Sequence, residues 1–223
     1  MAESRFKTIK LDTAERLLAA YASDFGNFGW PLYDQDPAPS TLVGVDLASP
    51  ALLSYPIKSK YLDEMSRMAR EDEEPNEYHL LLQAMTEFVN TDPAETFWEV
   101  PRSAITSLST RTSGDPPAGP NGFAKLIACF DAAQPCTGIR SVAVTKILHR
   151  KRPNLVPIND TRVRKFYGVS NSYVPLYAAI HDDLQDAETF AMLQELAAPY
   201  KGRDDRPMSI LRALDIVIWM HEV

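Results

Sequence analysis

The chain has 223 residues, 45% of them apolar, with 30 Asp and Glu against 23 Lys and Arg and a formal net charge of −7. That is enough apolar material for one sizeable core or two associated lobes. No run approaches the roughly 20 apolar residues that span a bilayer, and the charged start (Glu3, Arg5, Lys7, Lys10) has no signal-like segment behind it. The expectation is a cytoplasmic protein that does not meet a membrane. Two cysteines, Cys129 and Cys136, are too few for a disulfide framework or a cysteine-held iron–sulfur cluster. His79, His149, His181 and His221 are scattered, so neither a metal nor a cofactor is expected.

Apolar residues recur mostly at spacings of three and four, which predicts an all-α fold. Leu11-Asp12-Thr13 before AERLLAAYA reads as a helix start, with Asp12 and Glu15 spaced as a capping box. Residues 25–44 hold Phe25, Phe28, Trp30 and Tyr33 among prolines and glycines, a loop or short hairpin. A helical group follows from Asp46 to Arg70, broken at Pro50 and Pro56, with Tyr61, Met65 and Met68 on one stripe. The next helix begins after Pro75 and turns Leu81, Leu82, Met85, Phe88 and Val89 inward. Thr91-Asp92-Pro93 reads as a further helix start, and STRTSGDPPAGPN (109–121) as a linker in which no helix can form.

Beyond the linker, Gly122 to Ala133 is a helix with Phe123, Leu126, Ile127 and Phe130 inward. Ser141 is placed to cap a helix through His149, and Pro153 ends it. Asn159 or Asp160 caps another, running to Tyr167-Gly168. The last 55 residues give two or three helices, the final one starting near Ser209 with Ile210, Leu211, Leu214, Val217 and Ile218 on its core face. Asp215 is out of place in so apolar a helix, and an ion pair with Arg212 or with the segment around 150–165 is its default role. The expected organisation is two helical lobes, one from 1–75 plus 169–223 and one from 76–168.

Residues 138–168, GIRSVAVTKILHRKRPNLVPINDTRVRKFYG, reverse the charge of the chain. Lys146, Arg150, Lys151, Arg152, Arg162, Arg164 and Lys165 surround one carboxylate, Asp160. A turn with Gly138 between two helices brings unpaired N–H groups and a partial positive charge to the start of the second, where a phosphate can approach closely. Arg140 and Ser141 add donors there, and the later cations extend the positive charge.

This stretch resembles the core of the helix-hairpin-helix DNA glycosylases, in which a Gly-hydrophobic-Gly hairpin and a helix precede a VDTHV-like segment with the catalytic Asp. NDTRV falls where that segment falls. The resemblance implies a two-lobed helical fold that holds a flipped base in a cleft, nucleic acid as partner, and Asp160 as the carboxylate acting when an N-glycosidic bond breaks. It also implies Gly138, Arg140, Ser141, Lys146, Arg150, Lys151, Arg152, Arg162, Arg164 and Lys165 as the nucleic-acid-binding set. The second hairpin glycine is Arg140, and Val142 stands where bifunctional members carry a Schiff-base lysine, so a monofunctional hydrolase is implied and no lyase. The run KILHRKRPNLVPINDTRV, with DLASPALLSYP far upstream, also resembles an uncharacterised bacterial domain-of-unknown-function family.

Each residue has a structural alternative. Asp160 before Thr161 is a favoured N-cap, and RKRP after a helix sets cations at the negative end of its dipole. Trp30, Tyr33, Phe97 and Trp98 stack on a base or pack in the core. The protein can equally be a non-catalytic DNA-, RNA- or protein-binding module, or one whose basic segment meets its own acidic stretches. No P-loop, GxGxxG, GxSxG or HExxH is present.

Overall fold

The computed structural model describes residues 4–23, 33–36, 38–66, 74–112, 115–170, 172–202 and 204–223. Met68 and residues 25–32 of the aromatic stretch, Trp30 among them, lie outside the described residues. Among those described the fold is all-α, with no strand and one isolated bridge between Lys201 and Pro207. In chain order the helices are α1 (Leu11–Ser23), α2 (Gly44–Ala48), α3 (Ser59–Ser66), α4 (Glu77–Val89), α5 (Arg102–Ser107), α6 (Asn121–Ala132), α7 (Ser141–Lys151), α8 (Thr161–Tyr167), α9 (Tyr173–Leu184), α10 (Ala187–Ala197) and α11 (Ile210–His221).

Local chemistry starts many of them. Asn76 Oδ1 accepts from the N–H groups of Tyr78 and His79, Asp160 from Arg162, Asp186 from Thr189 and Ser209 from Arg212, each worth about 1 kcal/mol. Gly168 closes α8 in the left-handed conformation, at φ 66°. Other starts differ from expectation. α1 begins at Leu11, with the N–H groups of Thr13 and Ala14 bonded to the Lys10 carbonyl, so Asp12 stands inside the first turn and not at the cap. The N-cap of α7 is Arg140, and Ser141 is its first residue. No helix starts at Thr91. Asp92 accepts from the Ala94 N–H, Glu95 accepts from the Gly122 N–H, and the Phe97 N–H is taken by the Asn154 carbonyl, so tertiary bonds hold this stretch open until α5.

α4 packs on α6, and α3 on α4. α1, α10 and α11 form a second group, while α5 packs on α9 and α8 on α11. One cluster of buried side chains runs through both groups, from Phe6 and Leu18 through Leu81, Phe123 and Ile147 to Leu214 and Ile218. Burying each such side chain is worth about 1.5–3 kcal/mol. Tyr33 and Phe97 belong to this interior, and Trp98 packs edge-on against Phe190.

Two helices are buried almost all round. α11 is buried from Ile210 to Ile218, so Arg212 and Asp215 lie inside the protein. α7 is buried from Ala143 to Lys151, although Lys146, His149, Arg150 and Lys151 are among those residues. A buried charge must be paired, and the pairing of these two helices organises everything around the candidate site.

Candidate functional site

The cations at the end of α7 are satisfied internally. Lys151 Nζ lies 2.7 Å from Asp46 and 2.8 Å from Asp36, and also donates to the Ala38 carbonyl. Arg150 reaches Asp46 at 3.0 Å and donates to the carbonyls of Tyr33 and Gln35. Arg152 donates to the carbonyls of Pro39, Val89 and Thr91. Both Lys151 and Asp46 have fully buried side chains. The phosphate-facing role expected of Arg150, Lys151 and Arg152 therefore meets a different geometry: these side chains clamp residues 33–36 and 38–46 onto α7. Among the described residues, the carboxylates that Arg150 and Lys151 meet are Asp36 and Asp46.

His149 is enclosed with them. Burial pushes its imidazole down to about 3, so the ring is neutral, and its Nδ1–H donates to the Val156 carbonyl at 2.7 Å. Arg164 is buried as well, donating to Asn159 Oδ1 at 2.6 Å and to Thr161. Asn159 in turn donates to Ser141 Oγ, which fixes the start of α7 to the start of α8.

At the hairpin, Gly138 is at φ 76° and the Tyr61 ring of α3 lies where a Cβ would project, 2.1 Å from it. Glycine is needed there because an aromatic ring of the same chain takes the space of a Cβ. Arg140 is exposed and bonds back to the Gln134 carbonyl. Lys165 is exposed beside Glu222, at 2.8 Å.

The remaining sequence-derived residues converge. Asp160 caps α8 with Oδ1, accepting from Arg162 N–H at 2.9 Å, while Oδ2 accepts from Lys146 Nζ at 3.1 Å. Lys146 also donates to the Leu53 carbonyl and sits over the Tyr55 ring. The Arg162 guanidinium lies 4.0 Å from the Trp219 ring centroid. Lys146, Asp160 and Trp219 line a cavity of about 380 Å³, mouth included, whose other walls are Tyr21, Leu52, Leu53, Ser54, Ile158, Arg212, Asp215 and Ile216. Apolar and aromatic walls with a few converging polar groups are the usual make-up of a small-ligand site.

Asp215 and Arg212 enter from α11. Arg212 Nη1 donates to Asp215 Oδ2 at 2.5 Å, its Nε to Asp34 and its Nη2 to Tyr21 Oη. Asp215 Oδ1 is buried and has no hydrogen-bond partner among the described residues. Burial raises the Asp215 carboxyl to about 6, opposed by Arg212 and helped by Asp160. Tyr21, Trp219, Asp34, Asp36 and Asp46 are the residues that sequence reasoning left without a role here. A signal existed for α11 alone: Arg212, Asp215, Ile216 and Trp219 recur at three and four and so share one face.

Among the described residues no group of His, Cys, Asp and Glu is placed to hold a metal ion, and no helix is long and apolar enough to cross a membrane. No curated protein and no solved structure matches the chain. Residues 115–222 match the model of a family of unknown function, DUF6308, a stretch that carries Lys146, Asp160, Arg212, Asp215 and Trp219 of the cavity wall.

Proposed function

We propose that the cavity beside Asp160 takes a nucleobase and that the protein hydrolyses its N-glycosidic bond, as the resemblance of residues 138–168 to the glycosylase core implies. The observation that carries this reading is the position of Asp160: the residue that the resemblance makes the catalytic carboxylate is a wall of the cavity and not an isolated cap. Its two oxygens are held by Arg162 N–H and Lys146, so the carboxylate is fixed in place before a ligand arrives. A fixed anion next to a sugar stabilises an oxocarbenium-like centre and accepts a proton from the attacking water. Trp219 and Tyr21 supply aromatic walls beside the base.

Burial of Arg150, Lys151, Arg152 and Arg164 favours a small nucleoside over a polymer, because a nucleic-acid grip needs cations free to displace counterions. The test is the release of free base, followed by chromatography, from a panel of ribo- and deoxyribonucleosides and from oligonucleotides containing uracil or hypoxanthine. The wild type is expected to release base from a nucleoside, and Asp160→Asn to lose at least about 100-fold of that rate. Equal rates in the two proteins, or no release at all, would refute the proposal. Release from the oligonucleotides alone would return the reading to DNA.

The capping bond from Asp160 to α8 favours a second reading, a non-catalytic binding module. Asn caps as well as Asp, so on that reading Asp160→Asn leaves every function of the protein unchanged.

A further inference from the structure

We propose that Asp215 is the proton donor to the departing base in this cavity, an assignment that rests on the reading above and names a second carboxyl for the same reaction. The geometry divides its two oxygens. Oδ2 is held by Arg212, so the side chain cannot swing away, while Oδ1 is buried with no hydrogen-bond partner among the described residues. Leaving a buried carboxyl oxygen unbonded costs stability. The residue nonetheless lines a cavity that also contains Asp160. Oδ1 is thus the carboxyl oxygen whose hydrogen-bonding capacity no described residue uses, and it is the one left for a ligand.

Two carboxyl groups with different surroundings are what hydrolysis of a glycosidic bond uses, one as acid and one as anion. Asp160 meets the Lys146 ammonium and a backbone N–H. Asp215 is desolvated and lies near Arg212 of its own helix, Tyr21 of α1, Tyr33 beyond α1, Lys146 of α7 and Asp160 at the start of α8, while Asp34 holds the other side of Arg212. Desolvation keeps its proton on up to about pH 6.

The step balances. The bond from C1′ to the base nitrogen breaks with its electron pair going to the base, and the proton of the Asp215 carboxyl moves onto the base. Water adds to C1′ and gives a proton to the Asp160 carboxylate. That proton returns to Asp215 through solvent, so nucleoside and water give free base and free sugar.

The experiment compares two substrates: the nucleoside whose base the wild type releases fastest, and p-nitrophenyl β-D-ribofuranoside, whose leaving group departs without a proton. Asp215→Asn is expected to lose about 100-fold or more on the nucleoside and less than about 10-fold on the activated riboside. In the wild type, kcat/KM for the nucleoside is expected to fall above about pH 6 and that for the riboside to stay level. This pH comparison needs no variant, so it stands even where Asp215→Asn does not fold. Equal losses on both substrates, or identical pH profiles, overturn the assignment while a dead Asp160→Asn leaves the hydrolase reading intact. A wild type inactive on both overturns the hydrolase reading and this assignment with it.

Discussion

Replacing Asp46 with Ala removes the carboxylate shared by Arg150 and Lys151. Asp46 is fully buried, 3.0 Å from Arg150 and 2.7 Å from Lys151, and its Oδ2 also accepts the Val43 N–H that starts α2. The variant leaves two cations beside one remaining carboxylate, Asp36, with the Arg150 guanidinium still held by two carbonyls. Breaking a buried pair from one side costs about 3–5 kcal/mol. For a domain of this size, that is a fall in Tm of about 6–20 °C. Urea unfolding followed by circular dichroism measures the loss directly. A buried pair is little screened, so the loss should be nearly the same at low and at high salt. A change below about 1 kcal/mol, or one that salt abolishes, would mean that these cations face solvent, and the polyanion grip expected from their sequence would be restored.

Three further outcomes are expected. Gly138→Ala should destabilise the protein by about 1–3 kcal/mol, because φ is 76° and its Cβ would meet Tyr61; in a Tyr61→Ala background only the backbone cost of about 1 kcal/mol should remain, and equal losses in both backgrounds would refute the contact. The His149 ring should keep its neutral Nδ1–H form from pH 7.5 to 5 by ¹⁵N NMR, and a titration near 6.5 would contradict its burial. Asp215 binds its proton more tightly in the folded than in the unfolded state, so its contribution to stability is present below about pH 4 and is lost as pH rises through about 6. The stability of the wild type relative to Asp215→Asn should therefore fall by about 2–3 kcal/mol across that interval, and parallel pH profiles would refute it.

Much of the helical framework was legible because its signals are local. Asn76, Asp160 and Gly168 stop and start helices with their own side chains or backbone, and the stripes of α4, α6 and α11 follow the helical period. Asp215 stood out as an anomaly, and its pairing with Arg212, three residues away, is the structure's answer. The fate of the basic segment was not legible. Arg150 and Lys151 meet carboxylates more than 100 residues earlier in the chain, in a stretch with no periodicity, and nothing local separates a solvated cation from a buried one. The same holds for the cavity, whose walls come from α1, the turn 52–54, α7, the start of α8 and α11. A one-dimensional pattern marks Asp160 as a cap and as a candidate carboxylate, but the company it keeps is a tertiary property. The helix expected from Thr91 failed for a related reason, since bonds from Gly122 and to Asn154 outweigh the local start signal.

The central claim, that a nucleoside seats in the cavity between Asp160, Asp215 and Trp219, is tested most directly by a crystal structure with a C-nucleoside, whose base is joined to the sugar through carbon and cannot be released. The account predicts the base against Trp219, C1′ facing the Asp160 carboxylate and a ring heteroatom bonded to Asp215 Oδ1. An empty cavity at saturating ligand, or a ligand seated elsewhere on the protein, would contradict it.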